Sequence, residues 1–205
     1  MRTAPALLLF LAAPAAAQMT LPVEAPGKPD PKIATSGKYK IEPTHTQALF
    51  TVTHLGWTYY TGQFTNPTGT LTLDTKRPAN SKVSVTFAID KVLTTVPDLD
   101  AHLKGPDFFD AAKFPTATFT STKVTPTGPA TATIAGTLTL HGVTKPVTLK
   151  ARFIGAGKTF WGEKKMAIGF AATTSIKRSA FGMGANIPLV SDNVDLVINA
   201  GFDAD

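Results

Sequence analysis

The chain has no cysteine, which excludes disulfide bonds, thiolate nucleophiles and cysteine metal ligands. Stability must therefore come from a hydrophobic core, and 205 residues are enough for one well-buried domain. Beyond the amino terminus, no stretch is long and apolar enough to cross a membrane as a helix. Charged residues make up only 17% of the chain, and its lysines are scattered instead of clustering with aromatic residues, which argues against a nucleic-acid surface. The net charge of +6 is compatible with peripheral contact to an anionic membrane surface.

The amino terminus has the composition of a secretory signal. Met1 and Arg2 form a short basic start, residues 6–11 are apolar, and the alanines at 15–17 precede Gln18 as a small-residue cleavage site. The apolar run is too short for a permanent anchor. We therefore predict a signal peptide at residues 1–17 and a protein exported to the periplasm or out of the cell.

Proline is concentrated in the segment that follows the signal. Residues 18–37 contain several prolines, which remove backbone donors and favour extended conformations. We predict a disordered linker there. No comparable change in composition and no repeat of fixed period follows, so residues 38–205 are predicted to form one domain.

Apolar residues alternate with polar ones along most of this domain. Alternate positions are mainly apolar in residues 48–54, 69–73, 83–89, 134–140, 147–153 and 194–202, and threonine is frequent between them. A period of two predicts antiparallel strands with one apolar and one wet face. The fold class is therefore all-β, and alternation alone does not distinguish a sandwich from a barrel.

One segment lacks this alternation. Residues 98–113 are predicted to form a short helical insertion, with Asp107 or a neighbour as the cap before Phe108 and Phe109. Such an insertion is a candidate lid over one end of the sheet.

The sequence of residues 98–122, DLDAHLKGPDFFDAAKFPTATFTST, resembles the signature of the YceI-like family of exported polyisoprenoid-binding proteins. Further similar blocks occur in family order at residues 39–42, 54–56, 62–64, 69–74, 138–147 and 177–183. The resemblance implies a lipocalin-like antiparallel β-barrel of about eight strands. It also implies that the lumen carries a polyisoprenoid, an isoprenoid quinone or a similar long-chain lipid, and that the protein is a carrier without an established catalytic activity.

Two positions depart from the family pattern. Lys104 stands where arginine is usual, and Ala180 stands where an acidic residue is common. An ammonium holds a planar or anionic group less rigidly than a guanidinium does. The head group that this member prefers is therefore left open.

The resemblance and the alternation together give a set of candidate ligand contacts. The residues predicted to contact the lipid tail are Phe50, Val52, Tyr60, Phe64, Leu71, Val85, Phe87, Ile89, Phe119, Ile134, Leu138, Leu149, Phe153, Ile168, Phe170, Phe181, Leu196 and Ile198. The residues predicted to meet the head group at the mouth of the barrel are His54, His102, Lys104 and Arg178.

Two other classes of function remain open at this stage. A lipid-modifying enzyme would use His102 as general base with Asp98 or Asp107 as its orienting partner, although the chain lacks a Gly-x-Ser-x-Gly elbow and a Gly-rich phosphate loop. A module that binds another protein through its strand edges would have a lumen filled by side chains. The four histidines are dispersed without the short spacings of zinc sites, so no metal site is predicted.

Overall fold

The computed structural model describes residues 21–205, so the predicted signal peptide lies outside the described residues. This part of the chain forms strands β1 (Gly37–His54), β2 (Thr58–Thr65), β3 (Thr68–Leu73), β4 (Lys82–Ala88), β5 (Val92–Leu93), β6 (Thr116–Gly128), β7 (Thr131–Leu140), β8 (Val143–Lys158), β9 (Met166–Lys177) and β10 (Asn193–Ala204), with one α-helix, α1 (Pro97–Lys104). Short 3-10 turns occur at Pro31–Ile33, Pro78–Asn80, Ile89–Lys91 and Arg178–Phe181.

Eight of the strands close into an antiparallel barrel. Their order around the ring is β1, β3, β4, β6, β7, β8, β9 and β10, and β10 then pairs back to β1. The closing register places Phe202 opposite Ile41 and Leu196 opposite Phe50. This ring confirms the barrel predicted from the family resemblance and leaves its eight strands without a free edge.

Strand β1 is long enough to join two parts of the sheet. Its first half pairs with β3, and its second half pairs with β2, which in turn pairs with β5. The pairing with β10 shifts register between Glu42 and Gln47. Such an irregularity bends a strand, and here it lies between the two halves of β1.

Threonine and serine hydroxyls face one another across neighbouring strands on the outside of the barrel. β-branched threonine suits a pleated, half-exposed surface, and hydroxyl pairs of this kind stabilise adjacent strands modestly. The pairs are Thr51 with Thr61 (3.1 Å), Ser84 with Thr120 (3.1 Å), Thr86 with Thr118 (2.9 Å) and Thr139 with Thr144 (2.8 Å).

The barrel has two dissimilar ends. We call the end that carries α1 and the turns at residues 54–58 and 140–143 the helix end. The opposite end, formed by residues 26–34 and the turns at 73–82 and 128–131, is called the amino-terminal end. Among residues 21–205, no helix combines the length and hydropathy that a transmembrane span requires.

The predicted linker is docked on the barrel where the structure describes it. The main chains of Lys28 and Ala156 exchange two hydrogen bonds of 2.9 and 3.1 Å, which adds a short bridge to β8. A Cβ at Gly157 would overlap the carbonyl oxygen of Pro26, so β8 accepts the segment only because glycine stands there. The predicted linker therefore contacts β8 at Lys28. Its proline-rich composition does not reveal this partner strand, and disorder of residues 18–37 stays a prediction.

The helical insertion is shorter than predicted. Helix α1 begins at Pro97, whose fixed φ suits a first helical turn, and it ends before Gly105 and Pro106. No helix begins at Phe108, so Asp107 caps none, contrary to the prediction. Residues 105–114 instead form successive turns that carry Phe108 and Phe109 towards the barrel interior.

Candidate ligand-binding cavity

A cavity of about 710 Å³ occupies the barrel and reaches both ends. It is bordered by His54 and Met183 at the helix end and by Pro129 and Ala130 at the amino-terminal end. Its wall is overwhelmingly apolar. Sites for small-molecule ligands are typically about 300–1,000 Å³ and mostly apolar with few polar groups, so the cavity has the size and chemistry of a binding site.

Most of the predicted tail contacts border this cavity. Along the strands, every second side chain points into the barrel, as the alternation predicts. The predicted residues that line the cavity are Phe50, Val52, Tyr60, Phe64, Leu71, Val85, Phe87, Phe119, Ile134, Leu138, Leu149, Phe153, Phe170, Leu196 and Ile198. Their contact with a ligand stays a prediction.

Three predicted tail residues lie in packed clusters instead. Ile89 is 1% exposed, and Ile168 and Phe181 are each 2% exposed, and none of them lines the cavity. Ile89 and Phe181 belong to 3-10 turns beyond the strand ends, where the period of two no longer applies. Ile168 lies on β9 but packs with Tyr39 and Ala156 near the amino-terminal end. Alternation predicts on which face of a strand a side chain lies, but it does not predict the position of that side chain along the barrel axis.

The inward side chains of the middle strands are only half-buried. Val85, Phe119, Ile134 and Leu138 all point into the barrel and retain accessible surface because they border open space. Inward residues of a barrel filled by its own side chains would be buried, as protein interiors are close-packed. The lumen of this barrel is therefore a cavity, contrary to what a pure protein-binding module would require.

Phenylalanine rings form one wall of the cavity at the helix end. The ring of Phe64 packs against Phe50 (5.8 Å between centroids), Phe87 (6.4 Å) and Phe109 (5.3 Å). The ring of Phe50 lies over Gly62, where a Cβ would overlap it. Glycine at this position of β2 thus makes room for an aromatic surface inside the barrel.

The lid segment supplies cavity residues that were not among the predicted sites. Leu99 and Leu103 of α1 border the cavity together with Phe108 and Phe109. Their signal in the sequence is the spacing of four between the two leucines, which places both on one helix face. Helix α1 therefore lies over the helix end as the predicted lid.

The four predicted mouth residues are not all brought together. His54, His102 and Arg178 line the cavity, whereas Lys104 does not. The imidazole of His102 packs edge-on against Phe108, with 5.0 Å between ring centroids. Its Nε2 atom lies 3.9 Å from Oδ2 of Asp107, which is too long for a hydrogen bond, and both side chains are exposed.

Arg178 is buried, and its guanidinium is occupied by the main chain. Nε donates to the carbonyl of Ser191 (2.9 Å), Nη1 to Met183 (2.6 Å) and Nη2 to Val190 (2.9 Å). Burial lowers the pKa of the guanidinium, and the carboxylate of Asp192 counteracts this lowering. Arg178 thus fastens the loop at residues 182–192 beside the mouth of the cavity.

Asp192 completes this attachment from the other side of the loop. Its carboxylate accepts hydrogen bonds from the main-chain N–H and the hydroxyl of Ser179, each of 2.8 Å. These bonds, with smaller contributions from Lys177 and Arg178, hold the pKa of the Asp192 carboxyl below its ordinary value of 3.8. The carboxylate form is therefore the one that the folded state prefers.

We expect the contribution of Asp192 to stability to vary with pH. Because its folded pKa is depressed, the contribution is fully present above the unfolded pKa of about 3.9 and is lost as the pH falls through the folded value. Thermal melts should therefore show a larger deficit for Asp192→Asn at pH 7 than at pH 2.5. Asp90→Asn, an exposed carboxyl on the turn after β4, is the control. An equal deficit for Asp192→Asn at both pH values would contradict the assignment.

Among residues 21–205, no group of three or more histidine and carboxylate side chains is placed to hold a metal ion. The polar residues that border the cavity at the helix end include His54, His102, Tyr60 and Asn186, together with Arg178, whose donors already serve the main chain. The site therefore offers an apolar interior with a small polar rim.

Comparison with known proteins agrees with this barrel. The sequence profile of the YceI-like domain matches residues 39–202. The chain belongs to the YceI-like family. The protein YceI of Escherichia coli is 43% identical over 168 residues, which cover 81% of this chain and 86% of that protein. The resemblance drawn from residues 98–122 and its companion blocks is thereby confirmed.

Solved structures show the same fold. The YCEI protein of Campylobacter jejuni is 32% identical, with a TM-score of 0.64 over 75% of this chain and 90% of that one. A polyisoprenoid binding domain from Saccharophagus degradans, implicated in plant cell wall breakdown, matches with a TM-score of 0.61 at 15% identity and covers 83% of this chain and all of that domain. At that identity the second likeness concerns the fold alone.

Proposed function

We propose that this YceI-like protein binds a long-chain isoprenoid lipid inside its barrel and carries it. The observation that carries the proposal is the apolar cavity of about 710 Å³, bordered by inward side chains that remain half-buried. A space of this kind in a folded β-barrel suits an apolar guest. The polyisoprenoid binding domain of Saccharophagus degradans, which shares the fold, supports an isoprenoid as that guest.

The energetics favour a hydrocarbon tail over a polar substrate. Burying one methylene contributes roughly 0.8 kcal/mol, so a few isoprene units offset the costs of ordering a flexible chain. A polar substrate would leave its hydrogen-bonding groups without partners along the apolar wall. The apolar wall therefore selects the class of ligand before any head group is recognised.

For the head group we propose a quinone or a polyprenyl group with a polar end, held at the helix end. His54 and His102 line the cavity there and offer ring nitrogens to a carbonyl or phosphate oxygen. Lys104 lies outside the cavity wall, and the donors of Arg178 serve the main chain. We therefore propose that the two histidines contact the head group.

We further propose that the protein is a periplasmic carrier and not an enzyme. The export signal predicted at residues 1–17 supports the proposed location. Catalysis by His102 would require an orienting partner, and the Asp107 carboxylate stands beyond hydrogen-bond distance. No hydrogen bond or ion pair connects Asp98 with His102 in the described chain.

Organic extraction is the direct test of the bound ligand. Protein purified from the periplasm of a bacterial host is expected to release an isoprenoid quinone, a polyprenol or a polyprenyl phosphate, because an apolar cavity in water retains such a guest. Mass spectrometry of the extract identifies the head group and chain length together. Protein that is repeatedly empty and takes up neither added quinone nor added polyprenol would contradict the proposed function.

A further inference from the structure

The rim of the cavity at the helix end carries a cluster of exposed apolar side chains. Trp57 is 76% exposed and Tyr59 is 79% exposed, both on the hairpin between β1 and β2. Leu55 lies on the same turn, and Ile187 and Leu189 lie on the neighbouring loop; all three are exposed. We call these five residues the rim patch.

The two segments of the rim patch are joined to each other and to the cavity. The N–H of Leu55 donates to the carbonyl of Leu189 (2.6 Å), and His54 forms an isolated bridge with Val190. His54 and Val190 themselves line the cavity. The exposed patch is therefore the outer surface of the same rim whose inner surface borders the cavity.

The turn between β1 and β2 contains a residue that is unusual for its backbone conformation. His54 to Trp57 form a tight turn with positive φ at Leu55 (54°) and Gly56 (76°). Such turns prefer asparagine, aspartate or glycine at the first central position, and a bulky residue with positive φ is uncommon. Leu55 is still 39% exposed in this strained position. A leucine at this position would be favourable if its side chain contacted an apolar surface outside the protein.

The patch is also free of formal charge. Residues 54–66 and 180–191 contain no aspartate, glutamate, lysine or arginine. These segments therefore offer no carboxylate, ammonium or guanidinium to an oppositely charged protein surface, and no such group would have to be stripped of water on contact with an apolar phase. Tryptophan and tyrosine, which have an apolar body and a polar tip, are enriched where a bilayer meets water.

We infer that the rim patch docks the helix end of the barrel onto the surface of a lipid bilayer. This inference rests on the proposed function, because a guest that is insoluble in water needs a path from membrane to cavity. Docking places the cavity mouth against the bilayer interface, so that the tail enters without crossing water. The contact is made by apolar and aromatic side chains and not by attraction between the net positive charge and anionic lipids.

Flotation with vesicles of pure phosphatidylcholine tests this inference on the full mature chain. The protein is expected to bind these neutral vesicles equally at low salt and in 1 M NaCl, since there is no charge attraction to screen. The double variant Trp57→Ser with Leu189→Ser should lower the partition coefficient about tenfold, because it removes a protruding apolar side chain from each of the two segments. Trp161→Ser is the matched control, as Trp161 is half-exposed in the turn between β8 and β9 at the amino-terminal end.

Three results would overturn the inference. Wild-type protein that stays free of neutral vesicles would do so, as would equal losses in the Trp57/Leu189 and Trp161 variants. The third is dimerisation in analytical ultracentrifugation that the double variant abolishes, which would assign the patch to a second copy of the chain.

Loading with a polyprenol added from detergent separates docking from ligand binding. The double variant should load as fully as wild type by this route and should load more slowly from vesicles. If wild type loads from detergent but does not bind vesicles, docking fails and the proposed function stands. If wild type binds vesicles but loads by neither route, the proposed function fails and docking stands.

Discussion

Replacing Ile134 by tryptophan is expected to empty the barrel of lipid while leaving it folded. Ile134 lies on β7 opposite Leu149, points into the cavity and is only half-buried. An indole at this position would occupy space that the proposed tail needs. Extraction and mass spectrometry should show a loss of bound lipid of about tenfold or more, while the melting temperature of the empty protein stays close to that of wild type.

The matched control places the same enlargement in a packed region. Ile168 is 2% exposed and packs with Tyr39 and Ala156, so Ile168→Trp should overpack the core and cost about 1–3 kcal/mol of unfolding free energy. Folded Ile168→Trp protein should still retain lipid. If Ile134→Trp instead behaves like Ile168→Trp, with a stability loss and undiminished lipid, the ligand occupies another part of the protein.

Replacing Arg178 by alanine is expected to lower the free energy of unfolding by about 3–5 kcal/mol, because the buried guanidinium is a charged donor of several hydrogen bonds. The change removes three hydrogen bonds to main-chain carbonyls and leaves Asp192 without a neighbouring guanidinium. Arg178→Lys should recover only part of the loss, because one ammonium does not reproduce the planar fork. Denaturant unfolding measures both values.

Lys177→Ala is the control for Arg178→Ala. Lys177 is exposed and lies 3.7 Å from Asp192, and an exposed ion pair of this kind contributes at most about 1 kcal/mol. If Arg178→Ala leaves stability unchanged and alters which head group is retained, Arg178 is a ligand contact, as the sequence predicted, and does not serve to fasten the loop.

Strand faces were predictable because side-chain direction in a strand depends only on parity. Phe87 and Leu138 lie at apolar positions of the alternating segments 83–89 and 134–140, and both line the cavity. Parity fails where a strand ends. Ile89 continues the alternation of residues 83–89 in the sequence but lies in a 3-10 turn in the structure. Phe181, which belongs to the family block at residues 177–183, also lies in a 3-10 turn. Parity also does not predict the position of a residue along the barrel axis. For that reason Ile168 was placed in the lumen, although it packs in the core cluster near the amino-terminal end.

Features that depend on a distant partner were not predictable. The composition of residues 26–34 gives no sign that glycine at 157 on β8 admits the chain. Arg178 looks the same in sequence whether its N–H groups meet a ligand or the carbonyls of residues 183, 190 and 191. Closure itself came from the family resemblance, since the pairing of β10 with β1 joins segments at opposite ends of the domain.

The hydroxyl pairs on the outside of the barrel affect how the stability of the protein depends on salt concentration. Thr86 with Thr118 and Thr139 with Thr144 are neutral contacts, and dissolved ions do not weaken neutral contacts by screening them as they do ion pairs. We propose that the protein acts outside the cytoplasmic membrane, where the salt concentration varies with the habitat of the cell. The modest stabilisation that these hydroxyl pairs give to neighbouring strands is therefore expected to be the same at low and at high salt.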